Sequence, residues 1–444
     1  MTEEDTFDML YNIMLEARTN KRYGKDSMEF EADWIRKLVR MKDTLMSRTF
    51  RIEHNYTFLV SVPKWREIFA TEFEGRIADH ILCGVLGPYI EKELHPRTFN
   101  NRKDMGTQAA INQVIEDITE VSQCGQREAW IIKWDLKSFF PNARRDYIEK
   151  KFVEVIDKHS EEIAERYNDE TFPNFLKWLT MVTIHCCPAE HCEFRTPKEM
   201  WDDNIPPDKS IFNKPVGIGA PIGRWTSQVG MGLYINDEVV WLNDERGVKA
   251  TVFMDDCAEV VDKERKEYAL SLLPELRARL SKKGVRLNEK KFYCQQYWKG
   301  LEFLGSHIKP TRIILNDSTY RRFLDRIEQF NEVKDKYNKL DKFLSSVNSY
   351  FGLLKSRTSY KRIQEVIKKI SPEWWKWLEW NERRQCITFK PGYSFNERLN
   401  IKYNLKIKNY EKRRKTNVDS AARNADSATG RGSEQLRLQG TQKP

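Results

Sequence analysis

The sequence predicts an α+β protein in which short antiparallel strands sit among longer helices, followed by a helical, basic segment. Three observations predict it. Thr251–Val261, TVFMDDCAEVV, places two short β-favouring apolar runs on either side of Asp255 and Asp256, the pattern of strand, tight turn, strand. Ala129–Pro141, AWIIKWDLKSFFP, is a second apolar run and leads straight into Asp135. Elsewhere, in Glu72–Leu94 and from about Asn316 to Ile370, apolar residues recur at helical spacing instead of alternating.

At 444 residues and 52.8 kDa the chain has room for two or three domains with a large core. Hydrophobic residues make up 40%, and no run approaches the roughly 18 apolar residues of a membrane span. The N-terminus, MTEEDTFDML, is acidic where a secretion signal would be basic and then apolar, so a cytoplasmic protein is expected. Eight scattered cysteines suit a reducing compartment. Ile401–Pro444 alone carries a net +7, which leaves the rest of the chain near +3 of the total +10. Total charge therefore argues nothing about nucleic acid; local basic clusters must carry that argument.

In chain order, residues 1 to about 50 read as helices, from the spacing in FDMLYNIML and WIRKLVRMKDTLM. YTFLVSVPKWREIF, Tyr56–Phe69, reads as two strands around a proline break bearing Lys64 and Arg66. After the Glu72–Leu94 helix comes a loop with Arg97, Arg102, Lys103 and Gly106, running into a helix from about Thr107. A basic loop feeding a helix N-terminus suits phosphates, since free N–H groups and the dipole point the same way; it is equally what a solvated loop looks like. Helices follow from about Arg144 to Thr183, and then an irregular, proline-rich stretch from Cys186 to Val216. His185, Cys186, Cys187, His191 and Cys192 crowd its start, but adjacent cysteines fit one tetrahedron poorly and no second pair follows at finger spacing. That stretch reads as a loop with free thiols.

Gly217, Gly219 and Gly223, with Pro221, make a pliable turn that other backbone can approach closely. Thr226 or Ser227 is the expected N-cap of a helix reaching about Glu245. The Asp255–Asp256 hairpin follows, then a helix from about Lys263 to Lys283 leads to RLNEKKFY and to WKGLEFLGSHI, which reads as another hairpin. Arg322, Lys355, Arg357 and Lys361 beside Tyr350 and Tyr360 suit either a duplex backbone or a solvated helix face. Four tryptophans between Pro372 and Phe395 point to packing, and the polar chain after about Tyr410 to disorder.

Two like charges side by side at a hairpin tip need compensation, either by water or by a divalent cation. A carboxylate ending a buried strand, as at Asp135, needs the same. If the Asp135 strand pairs with the hairpin, the three acids share one sheet edge and can hold two Mg²⁺ about 4 Å apart, the arrangement that serves phosphoryl transfer.

This order of motifs resembles the reverse transcriptases over roughly residues 55 to 365. Asp135 with Phe139–Phe140 is similar to their motif A, FMDD at Phe253–Asp256 to the YxDD box, and LNEKK followed by EFLGSHI to later motifs. VPKWREI, EGRIADHIL and NRKDMGT resemble the fingers motifs of the prokaryotic branch. The resemblance implies a right-hand fold with fingers, a palm built on an antiparallel sheet, and a helical thumb. The expected boundaries are a helical extension at 1–50, fingers and palm at 51–315, thumb at 316–385, an extension at 386–410 and a basic tail at 411–444. IGRWTSQ, Ile222–Gln228, departs from the family's usual QGxxxSP and is similar to the pattern of diversity-generating retroelements. That group implies error-prone copying of a template RNA into cDNA, with misincorporation opposite adenine and a small accessory variability determinant protein as partner.

Carried over by position, the resemblance makes Asp135, Asp255 and Asp256, with the Leu136 carbonyl, ligands of two Mg²⁺, with Mn²⁺ an alternative. It puts Phe140 at a steric gate against ribose and Lys291 near a proton donor for pyrophosphate. Lys64, Arg66, Arg102, Lys103 and Ile222 are candidates for the incoming dNTP, and Gly223, Arg224, Ser227, Gln228, Phe253 and Met254 for template and primer. Phe253 stands where the family keeps Tyr. Two other readings are a bacterial or phage defence reverse transcriptase, and a non-catalytic RNA-binding scaffold, against which the intact acids argue.

Overall fold

The computed structural model describes residues 3–19, 21, 24–61 and 64–391. The expected tail at 411–444, residues 392–410 of the expected extension, and Val62 and Pro63 of the expected proline break lie outside them. The chain forms two compact units, Met1–Asn316 and Asp317–Pro444.

The first unit is α+β. Its strands are β1 (Asn55–Val60), β2 (Arg66–Thr71), β3 (Ala129–Asp135), β4 (Cys192–Phe194), β5 (Lys249–Phe253), β6 (Asp256–Asp262), β7 (Tyr293–Gln296), β8 (Leu301–Phe303), β9 (Ser306–Lys309) and β10 (Arg312–Leu315). The central sheet runs β5-β6-β3-β7, antiparallel throughout. Its apolar runs are nearly continuous because both faces are covered. Ile132, Trp134, Cys257 and Val261 join the main core with the helices Phe73–Glu93 and Trp225–Val240. Ile131, Ala258 and Val260 join a second core with the helix Thr107–Val121 and with β8 and β9. Alternation along each strand deals the residues to these two sides. The free edge of β5 is covered by the chain at Thr98, which pairs with Val252.

A smaller sheet runs β2-β1-β4, with β1 antiparallel to β2 and parallel to β4. The stretch 186–216, expected to be irregular, contributes β4 and a helical turn at Glu199–Asn204. It is tied down by Glu67 on β2, whose buried carboxylate accepts hydrogen bonds from Ser210 Oγ (2.9 Å), Trp201 Nε1 (3.2 Å) and the Ile211 amide. All eight cysteines are free thiols.

The hairpin read from WKGLEFLGSHI forms: β8 pairs antiparallel with β9, Leu301 opposite Ile308 and Phe303 opposite Ser306, and β10 extends it into a meander. Upstream of it, Tyr293–Gln296 pairs with β3. The divide is Gly300, which turns the chain at φ +94, where a side chain would strike His307. The helix expected to be capped by Thr226 or Ser227 begins at Trp225, and Thr226 Oγ1 instead hydrogen-bonds to Asp79 Oδ1 at 3.1 Å.

The second unit has helices Asp317–Asn331, Leu340–Lys355 and Tyr360–Lys369, then a hairpin of β11 (Leu378–Asn381) and β12 (Cys386–Phe389). Trp374 stacks on Phe343 at 4.0 Å between ring centroids, and Tyr350 stacks on Phe323 at 4.6 Å, so both aromatics pack inside the unit. Asn348 bonds both backbone groups of Ile387 at 2.8 Å, fixing the hairpin to the second helix. The boundary expected at 385/386 therefore falls inside one packed hairpin.

Candidate active site

Phe253 pairs with Asp256, which leaves Met254 and Asp255 as the tip between β5 and β6. Met254 has φ +58, whereas Asp255 is not in the left-handed region. A positive φ at the first central residue suits the twist of a two-residue hairpin, but that position normally goes to glycine. β3 lies beside β6 with Asp135 directly opposite Asp256. Opposed residues have Cα atoms within about 5.5 Å and side chains on one face. The ladder continues one step further, the Leu136 amide donating to the Asp255 carbonyl at 2.8 Å. The lone acid and the doublet thus meet at one sheet edge.

The electrostatics follow from this crowding. Burial pushes the Asp255 carboxyl above the usual range, and the charge of Asp135 adds to the rise, while Lys291 and Lys133 oppose it. Lys291 Nζ donates to Asp135 Oδ2 at 2.5 Å, and Asn288 Nδ2 to Oδ1 at 3.2 Å. The Asn288 amide also bonds the Asp135 carbonyl at 2.7 Å. Lys133, its side chain 6% exposed, is paired with Asp256, and burial pushes its ammonium down to about 8. The sequence reading missed Lys133, although alternation puts it on the same face as Asp135, two residues on; a lysine inside an apolar strand was the available signal.

These donors suit a hard divalent cation. The like charges of Asp135 and Asp255 oppose each other, and ammonium groups are drawn onto Asp135 and Asp256. Among the described residues no three His, Cys, Asp or Glu form a ready cage. Mg²⁺ needs none, since it binds through one or two carboxylates and takes other oxygens from substrate phosphate and water.

The glycine-rich stretch lies against the segment after Asp135. The Ala220 amide donates to the Phe140 carbonyl (2.9 Å), Gly219 to Ala143 (2.8 Å), and Arg145 to Gly217 (2.9 Å). The Ile222 carbonyl accepts from the Phe69 amide on β2 at 2.7 Å. Gly223 follows at φ +123, where a Cβ would lie 2.3 Å from the Phe69 carbonyl oxygen. Phe140, Ile222, Gln228, Phe253 and Met254 are half-buried. Lys64, Arg66 and Lys103 are exposed, and none has an ion-pair partner among the described residues.

Three expected contacts are corrected. Arg224 is buried, with Nη2 and Nε on Asp79 at 2.5 and 3.2 Å and Nη1 on the Thr183 carbonyl at 2.7 Å, so no template can reach it. Ser227 is buried too. Arg102 grips Glu91 at 2.6 Å and the carbonyls of His95 and Thr98, which makes it a loop staple with four of its five N–H groups engaged. A sequence shows a guanidinium but not the distant carboxylate that claims it.

No protein-family model and no curated protein matches the chain. Among solved structures it is similar to telomerase from Candida tropicalis, at 13% identity over 72% of this chain with a TM-score of 0.41. A form of that enzyme truncated from its C-terminal domain gives 12% identity over 60% and 0.38. Telomerase from Candida albicans, in complex with a fragment of telomeric RNA, gives 11% over 73% and 0.40. The chain spans 55 to 61% of the length of those chains. At TM-scores this low the likeness carries no weight for fold or activity.

Proposed function

We propose that this chain is an RNA-directed DNA polymerase that copies a template RNA into cDNA, error-prone opposite adenine, within a diversity-generating retroelement. The observation that carries the polymerase reading is Asp135 set opposite Asp256, with Asp255 at the adjoining tip. Asp135, Asp255, Asp256 and the Leu136 carbonyl would hold two Mg²⁺ or Mn²⁺. Bound there, the ions would activate the primer 3′-hydroxyl and neutralise charge on departing pyrophosphate. Lys291, its Nζ held on Asp135, sets an N–H donor at this edge, where a leaving group needs one. Phe140, fixed beside the glycine-rich stretch, bounds the sugar of the incoming nucleotide. Lys64, Arg66 and Lys103 are the exposed cations left for the triphosphate of a dNTP, and Gly223, Gln228, Phe253 and Met254 line the path of template and primer.

The retroelement reading rests on IGRWTSQ and its apolar Ile222, and brings with it the accessory variability determinant protein as partner. Primer extension tests the polymerase: Asp255→Asn abolishes synthesis, and unchanged synthesis would defeat the metal assignment. Ile222→Gln lowers misincorporation opposite adenine; an unaltered error spectrum removes the subgroup argument.

A further inference from the structure

Asn100 lies behind the tip that carries Asp255. It is 2% exposed, and its Oδ1 accepts the Met254 amide at 3.3 Å. Its Nδ2 is buried with no partner among the described residues. Reversing the amide would set two donors against each other at Met254, so the orientation is fixed by the one bond it makes. On its other side Asn100 rests on Gly232, where a Cβ would lie 2.9 Å from Nδ2.

The support behind Asn100 is rigid. The Phe99 amide bonds the Val252 carbonyl and the Val252 amide the Arg97 carbonyl, each at 3.0 Å. Arg97 forks onto Asp117 at 2.5 and 2.7 Å, and the His95 amide bonds Asn236 Oδ1 at 2.8 Å. With the Arg102 staple, the loop is fastened to three helices before it reaches the tip. A buried side-chain amide that leaves both N–H donors of its Nδ2 unmatched is costly. What it secures is the backbone amide of Met254, a left-handed, non-glycine residue at the tip that carries Asp255.

We propose that Asn100 is a positioning residue that holds Met254 in its left-handed conformation and thereby fixes Asp255 against Asp135. The inference rests on the polymerase reading for its link to rate, but not for the turn itself.

The experiment measures single-nucleotide extension, together with amide hydrogen exchange in the segment spanning Phe253–Asp256, on the full chain. Asn100→Ala lowers kcat about tenfold, leaves KM for primer–template within about twofold, and speeds exchange at the tip by about tenfold. Glycine adopts positive φ freely, so in a Met254→Gly background the same substitution lowers kcat by less than about threefold. Gly232→Ala, whose methyl presses on Nδ2, reproduces the loss and the rescue, and serves if Asn100→Ala does not fold. Parental kcat and exchange in either single variant, or an equal fall in both backgrounds, overturns the proposal. A parent chain that makes no product refutes the polymerase reading instead, and exchange at the tip still decides the role of Asn100.

Discussion

Replacing Arg224 by methionine separates a structural pin from a template contact. In the structure Asp79 accepts two hydrogen bonds from Arg224 and one from Thr226, and the two charged side chains are 5% and 2% exposed. Without the guanidinium, the carboxylate keeps only the threonine hydroxyl in a place water does not reach, and the Thr183 carbonyl loses its donor as well. Breaking a buried pair on one side costs about 3–5 kcal/mol. Arg224→Met is therefore predicted to destabilise the first unit by that amount in urea unfolding followed by tryptophan fluorescence. The double variant Arg224→Met with Asp79→Leu recovers most of the loss, because an apolar pair removes both charges together. RNA affinity, measured against salt under conditions where the variant is folded, keeps its slope. A template contact gives the opposite pattern, with stability unchanged and the salt slope smaller by about one. A loss below about 1 kcal/mol, or a double variant as unstable as the single one, would refute the pin.

Two further outcomes follow, one from a buried carboxyl and one from a strained turn. Burial raises the Glu259 carboxyl to about 7, relieved only by the Trp134 indole N–H at 2.6 Å. A carboxyl raised on folding takes up a proton, so its contribution to stability is full below about 4.5 and is lost as pH rises towards about 7. Glu259→Gln flattens that slope and stabilises the protein at pH 8 by about 3 kcal/mol in denaturant titrations; an unchanged pH profile contradicts this. Gly223→Ala sets a methyl against the Phe69 carbonyl oxygen at a backbone angle L-residues avoid, and is predicted to cost more than about 3 kcal/mol or prevent folding. Parental stability would show that β2 does not hold this turn.

The sheet edge was legible because its signals are local. Alternation gives a strand its faces, and an acidic pair between two apolar runs marks a hairpin tip, so Asp135, Asp255 and Asp256 stand out unaided. What stayed hidden depends on partners far along the chain. Arg224 looks like any exposed cation until Asp79, on another helix, is seen to claim it. Arg102 is spent on Glu91 and on carbonyls of its own loop. Asn100 belongs to a loop that reads as merely basic and polar, and its single bond runs to the distant tip between β5 and β6. The pairing of Tyr293–Gln296 with β3 stayed hidden for a related reason, since only the fold reveals that a sheet edge was open there. The hairpin in WKGLEFLGSHI, whose strands are neighbours in sequence, was legible.

Polymerisation as proposed requires Asp135 and the Asp255–Asp256 tip to bind the same cations. Iron(II) loaded in place of Mg²⁺, with ascorbate and peroxide, cuts backbone next to the ion. Cuts are expected at both segments, beside Asp135 and beside Asp255, with both lost together in Asp135→Asn. Cutting confined to one segment, or cuts beside Asp255 that survive Asp135→Asn, would contradict a shared site.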